Sequence, residues 1–179
     1  MTDLLILYST TDGHTRRVCD VLATELERLG NQVTVADMLD QPQPDPADFD
    51  KVVLGASIRY GKHARVVSDT IARRLDALQS RPSVFFSVNL VARKPNRNQP
   101  DTNPYVKKFL AKIAWRPDHV AVFAGKLDYP AYALTDRLVI QLIMWMTRGP
   151  TDPTTVREFT DWDQVKAFAG LVDGLSAGA

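Results

Sequence analysis

One stretch near the start of the chain narrows its possible folds more than any other. The apolar run Leu4-Leu5-Ile6-Leu7-Tyr8 enters a hydroxyl-rich turn, Ser9-Thr10-Thr11-Asp12-Gly13-His14-Thr15, and an amphipathic run leaves it from Thr15 to Leu29. A buried strand that passes through a polar turn straight into a helix makes a β-α unit. It is also a recipe for an anion site, because hydroxyls donate, turn N–H groups converge and the helix N-terminus adds positive dipole. The rest of the sequence can be asked what such a phosphate-type site needs around it.

The pattern repeats along the chain. Gly30 stops the first helix, Gln32–Ala36 reads as a second strand, and the proline-rich Gln41–Pro46 stretch is a connecting loop. Lys51-Val52-Val53-Leu54-Gly55 has the continuous apolar character of a buried parallel strand and opens into a loop, Ala56 to His63. A helix to about Leu78, the strand Pro82–Asn89, and a basic loop from Ala92 to Asn103 follow. Asn103-Pro104 starts a helix expected to reach Trp115, His119–Gly125 is the last strong strand, and Thr160-Asp161 caps a final helix to about Leu175. This alternation predicts a single α/β domain over residues 1–179: a doubly wound five-stranded parallel sheet in the order 2-1-3-4-5, with helices on both faces. The topological switch then lies between strands one and three, so the 9–15 and 56–63 loops open on the same crevice.

Composition sets the outer limits. With 22 Lys+Arg against 21 Asp+Glu the net charge is +1, which offers no general attraction to nucleic acid. The lone Cys19 rules out an intrachain disulfide and a cysteine-rich metal site, and its place on the first helix reads as core packing. Asp3 and the short first apolar run do not make a signal peptide, and no stretch reaches the ~20 apolar residues that span a bilayer. A cytoplasmic protein is expected.

The first turn lacks a G-x-G-x-x-G fingerprint, and Gly55 to His63 lacks the spacing and the Ser/Thr of a P-loop. Tyr8-x-Thr10-x-x-Gly13-x-Thr15 after a strand resembles the phosphate-binding signature of flavodoxins. That resemblance implies FMN, held by Ser9, Thr10, Thr11, Asp12, Gly13, His14 and Thr15. It also implies that Ala56, Ser57, Ile58, Arg59, Tyr60 and Gly61 flank the flavin on one side, with Tyr60 as the stacking ring and Gly61 near N5. Asn89, Leu90 and Val91 would form the opposite wall.

Longer strings narrow the likeness. Gly55–Gly61, Ser87–Pro95, Trp115-Arg116-Pro117 and Thr160-Asp161-Trp162 look like the menaquinone-dependent protoporphyrinogen IX dehydrogenase family, across essentially the whole chain. Membership implies oxidation of protoporphyrinogen IX to protoporphyrin IX in haem biosynthesis, with electrons passing through FMN to menaquinone or another membrane quinone. The loops expected around the flavin carry Arg59, Lys62, His63, Arg65, Arg93, Lys94 and Arg97, a positive rim suited to propionates or anionic headgroups. Nothing compels a particular acid or base; His63 and Arg59 are candidates by loop position.

Residues about 129–150 are an insertion that the sheet does not need. Within it Leu138–Met146 is apolar almost all round, rises only ~14 Å as a helix, and cannot span a bilayer. It suits an interfacial position on the inner face of the cell membrane with Arg137, Trp145 and Arg148 as anchors, or a dimer contact, or core packing. An electron-carrier flavodoxin and an NAD(P)H:quinone oxidoreductase remain the rival readings.

Overall fold

A computed structural model describes residues 1–176. Strand β1 (Asp3–Ser9) leads into helix α1 (His14–Arg28), then β2 (Gln32–Asp37) and β3 (Lys51–Arg59). A short return strand β4 (Lys62–His63) precedes helices α2 (Arg65–Arg73) and α3 (Leu75–Gln79). Next come β5 (Ser83–Asn89), α4 (Pro104–Leu110), β6 (His119–Ala124) and β7 (Lys126–Asp128). Helix α5 (Leu134–Met146), β8 (Val156–Glu158) and α6 (Trp162–Asp173) complete the chain.

The main sheet runs β2-β1-β3-β5-β6, all parallel, with β4 returning antiparallel on β3. Leaving out the small β4, this is the expected 2-1-3-4-5 order. Alternation along β1 sends Leu4, Ile6 and Tyr8 to one face and Leu5 and Leu7 to the other. The first face packs on Val18, Leu22 and Leu26 of α1 and on Val165, Phe168 and Val172 of α6. The second packs on Val67 and Ile71 of α2, Leu78 of α3, and Trp115. Both faces are therefore covered, as a parallel sheet requires. Cys19 is wholly buried among the α1 residues of the first layer. Gly55 is dictated by packing: a Cβ there would stand 2.2 Å from the Phe86 ring.

Helix α1 ends as its sequence suggests. Gly30 takes φ 95°, its N–H bonds the Glu27 carbonyl, and Asn31 N–H reaches back to Leu26, so the last carbonyls are satisfied. Three boundaries differ from expectation. The helix expected to reach Leu78 breaks at Arg74, whose guanidinium pairs with Asp45 at 2.6 Å. The helix expected to reach Trp115 ends at Leu110, which frees the Trp115 indole to enter the core and donate to Ser83 Oγ at 3.0 Å. The Ala56–His63 loop is mostly strand: β3 runs on to Arg59, turns through Tyr60 and Gly61, and returns as β4 with Ile58 opposite His63.

The insertion has its own frame. Strands β7 and β8 pair antiparallel around it, and Leu127, Tyr129, Tyr132, Ile140 and Met144 form a small separate core. Helix α5 thereby sits at the carboxyl end of the parallel strands, over the switch point between β1 and β3.

Candidate functional site

The first turn has the features that an anion site needs. Gly13 takes φ 80°, a left-handed conformation that lets the chain swing from the turn into α1. Its N–H donates to Thr10 Oγ1 at 3.0 Å, which folds the turn on itself. No side chain caps α1, so its leading N–H groups are left for a ligand. Thr15 decides the fit: its side chain lines the crevice, yet Oγ1 is buried and has no protein partner. A buried hydroxyl without a partner is costly, and a phosphate oxygen at this helix N-terminus would satisfy it. Thr10, Asp12 and His14 line the same crevice. Ser9 lies buried at the end of β1 beside Ala56. Thr11 is exposed, its Oγ1 3.5 Å from Ser57 Oγ.

The crevice is open at its mouth and lined from several parts of the chain, largely by apolar and aromatic side chains with a few polar groups among them, as small-molecule sites are. Ser57, Ile58, Arg59, Tyr60 and Gly61 form one wall, and Asn89, Leu90 and Val91 another. Ala56 is not in the wall but fully buried beneath it. Tyr60 and Gly61 form a two-residue turn with φ 51° and 78°. Positive φ at both positions is the hairpin geometry that favours Asn, Asp or Gly, so a tyrosine there costs about 1 kcal/mol and stays only because its surroundings hold it. Its ring remains half exposed at the crevice. The Tyr105 ring packs so close to Gly61 that a Cβ would stand 3.3 Å from it.

Arg59 ties three parts of the chain together. It donates to Asp12 of the first turn at 2.9 Å and to Asp136 of α5 at 2.9 Å. Its guanidinium lies over the rings of Tyr60 and Tyr132, at 5.6 and 5.2 Å. Tyr60 Oη also donates to Asp136. The two carboxyls move in opposite directions: burial pushes Asp12 up despite Arg59, while the Tyr60 hydrogen bond and then Arg59 hold Asp136 down. Tyr105, Tyr132 and Asp136 carry no local sequence signal of a site; only folding brings them here.

His14 is held from the far end of the chain. Thr160 Oγ1 donates to the Ala124 carbonyl at 2.7 Å and so accepts from His14 Nε2 at 2.6 Å, which puts the imidazole proton on Nε2. Burial lowers the pKa of this histidine. His63, a candidate acid/base from its loop position, does not reach the crevice. It is buried on the other side of the hairpin, 4.5 Å from the Phe109 ring centre and 5.4 Å from that of Phe85. The turn at Tyr60-Gly61 reverses the strand and sends its side chain under the sheet.

The positive rim is smaller than its residues suggested. Arg59 is neutralised by two carboxylates, and Lys62, Arg65 and Arg97 are exposed outside the crevice wall. Lys94 is half-buried and also outside the wall. Arg93 does line it. Its guanidinium donates to the carbonyls of Leu90 (2.8 Å) and Thr147 (3.1 Å) and to Thr147 Oγ1 (3.0 Å). Among the described residues it pairs with no carboxylate.

Comparison with known proteins fits this geometry. The flavodoxin domain family matches residues 5–154. The protoporphyrinogen IX dehydrogenase [quinone] of Escherichia coli K12 is 48% identical over 172 residues, covering 96% of this chain and 95% of that one. The chain belongs to this flavodoxin-domain family of protoporphyrinogen IX dehydrogenases. The family member from Leishmania major is 45% identical over 166 residues, 92% of this chain and 72% of its own. Oxidised flavodoxin 1 of Bacillus cereus shares the fold, with a TM-score of 0.51 at 15% identity over 98% of this chain and all of its own. The protein is accordingly an oxidoreductase of the flavodoxin type, with FMN as its cofactor.

In this family member the insertion roofs the flavin crevice. Ile140, Ile143 and Met144 of α5 and Thr147 at its C-terminal cap line it from above. Asp136 fastens the start of α5 to Arg59, and Arg93 fastens its end at Thr147. The opposite side of α5 exposes Leu134, Leu138, Leu142 and Trp145, with Val139 and Met146 beside them. Trp145 is thus exposed on this side. Arg137 sits towards the packed side, half-buried, with Nε enclosed and lacking a partner among the described residues.

Proposed function

We propose that this chain oxidises protoporphyrinogen IX to protoporphyrin IX and hands the electrons to a membrane quinone such as menaquinone, while resting on the membrane through α5. The bound flavin supplies the redox chemistry, taking electron pairs from the tetrapyrrole and passing them on. The chain supplies everything else. Thr10, Thr15 and the α1 N-terminus would hold the phosphate, and Tyr60 and the Asn89–Val91 wall would bound the ring on its two sides. The α5 roof and the aromatic lining keep water from the reacting face.

Arg93 is the observation that carries the substrate assignment. Burial disfavours its charge, its donors reach only neutral oxygens, and it faces the crevice. A propionate of the porphyrinogen would supply the missing negative charge there. The exposed apolar side of α5 supports the membrane reading. No helix among the described residues is long and apolar enough to cross a membrane, and a 13-residue helix lying flat matches an interfacial element. The crevice then opens beside the lipid surface, where both an apolar tetrapyrrole and a quinone partition.

The test is anaerobic. FMN-loaded protein mixed with protoporphyrinogen IX loses its oxidised-flavin absorbance within minutes and regains it on addition of a menaquinone analogue. Undiminished absorbance after mixing refutes the dehydrogenase reading, and bleaching by NADPH alone redirects it to a nicotinamide-dependent quinone reductase.

A further inference from the structure

The crevice contains a strained tyrosine whose hydroxyl is anchored by the inserted helix, and no motif predicts that connection. Tyr60 occupies the first position of a turn that favours Asn, Asp or Gly, at φ 51°. A side chain kept in such a pose points to a role for that side chain. What holds it is Asp136, in the first turn of α5, which accepts from both Tyr60 Oη and Arg59. Arg59 in turn grips Asp12 of the phosphate turn. A single carboxylate on the insertion therefore fixes one flavin wall directly and reaches the phosphate turn through one guanidinium.

We propose that Asp136 is a positioning residue for FMN: it sets Tyr60 and Arg59 in the binding pose, so that flavin binding and seating of the α5 roof are cooperative. Three observations carry this. The roof and the flavin wall share no sequence neighbourhood, since 77 positions separate Arg59 from Asp136. Arg59 pairs with two carboxylates and lies over two tyrosine rings, so four separate contacts restrict how the group can sit. The roof helix begins with no side-chain cap, and Asp136, which makes these cross-crevice contacts, lies in its first turn. By linkage, whatever flavin gains from a seated roof the roof gains from bound flavin. The proposal rests on the FMN assignment and adds to it a route by which events on the outer side of α5 reach the cofactor.

The experiment uses full-length holoprotein as wild type, Asp136→Asn, Tyr60→Phe and the double variant. One readout is the rate of FMN release on dilution, followed as recovery of flavin fluorescence. The other is amide hydrogen exchange across residues 134–146, with and without FMN. Each single variant releases FMN about tenfold faster than wild type, and the double variant releases it no faster than the quicker single one. FMN protects the α5 amides in wild type and fails to do so in Asp136→Asn. The exchange measurement on wild type needs no variant, so misfolding of a mutant does not remove the test. Wild-type release by Asp136→Asn, multiplied effects in the double variant, or α5 protection indifferent to FMN would each overturn the proposal. A wild-type chain that binds no FMN overturns the cofactor assignment itself.

Discussion

His63 Nε2 lies 2.9 Å from Ser87 Oγ, beneath the flavin wall and between aromatic rings that keep the imidazole neutral. Asn89 donates to the same Ser87 oxygen at 3.3 Å, and His63 Nδ1 is buried without a partner. Burial lowers the His63 pKa from its ordinary 6.5 to about 4.

The sign of the resulting pH dependence follows directly. The unfolded chain takes up a proton near pH 6.5 that the folded chain refuses until about pH 4. Stability is therefore full above pH 6.5 and falls as the pH drops through that window, by about 2 kcal/mol between pH 7 and pH 5. Denaturant unfolding at the two pH values should show a loss smaller by about this amount in His63→Phe than in wild type, since the buried His14 adds a loss of the same sign to both. Equal losses in both proteins would remove His63 as the cause.

Thr15 gives the phosphate prediction. Thr15→Val keeps the shape and deletes a hydroxyl that has no partner in the protein, so the apoprotein should be as stable as wild type or slightly more so. FMN binding should weaken by about 1.5–3 kcal/mol, the worth of a hydrogen bond to a charged group. Riboflavin, which lacks the phosphate, separates the causes: its dissociation constant should not change. Equal weakening for both flavins would place Thr15 under the ring and not at the phosphate.

The sequence made the sheet legible because the inner strands β1, β3 and β5 are short, largely apolar runs, and because Gly30 and Asn103-Pro104 mark helix ends by local chemistry. The phosphate turn could be read for the same reason, since strand, hydroxyls and helix are adjacent. The far side of the site could not. Tyr60 in a left-handed turn contradicts its own preference, so Ala56–His63 looked like an open loop and His63 looked accessible. Strands β7 and β8 have three residues each, too few for a periodicity to register. Arg59 read as rim charge because its two carboxylate partners lie 47 and 77 positions away. Pairings of that kind exist only in the folded chain.

Arg93 separates substrate recognition from cofactor binding. Arg93→Gln can still donate to a carbonyl but carries no charge, so KM for protoporphyrinogen IX should rise about tenfold or more with FMN retained. The dimethyl ester of the same porphyrinogen should show the converse, a raised KM in wild type that the substitution does not raise further. Steady-state kinetics with both substrates on both proteins decides it. A variant that discriminates acid from ester as well as wild type does would place the propionates elsewhere.

The outer side of α5 tests the membrane. Leu138 and Leu142 are 66% and 56% exposed, one helical turn apart, so changing them removes little packing from the fold. The helix rises ~20 Å, shorter than the ~30 Å hydrocarbon core, so its contribution must come from lying in the interface with these leucines and Trp145 immersed. Each leucine withdrawn from water is worth up to about 2 kcal/mol, and a carboxylate in its place also opposes an anionic surface. Leu138→Glu/Leu142→Glu should therefore cut sedimentation with anionic vesicles by at least about tenfold, with melting temperature and FMN content unchanged. If the double variant sediments with vesicles as wild type does, α5 is not the docking element. If instead the wild type forms a dimer that the variant cannot, the stripe is a contact between copies of the chain.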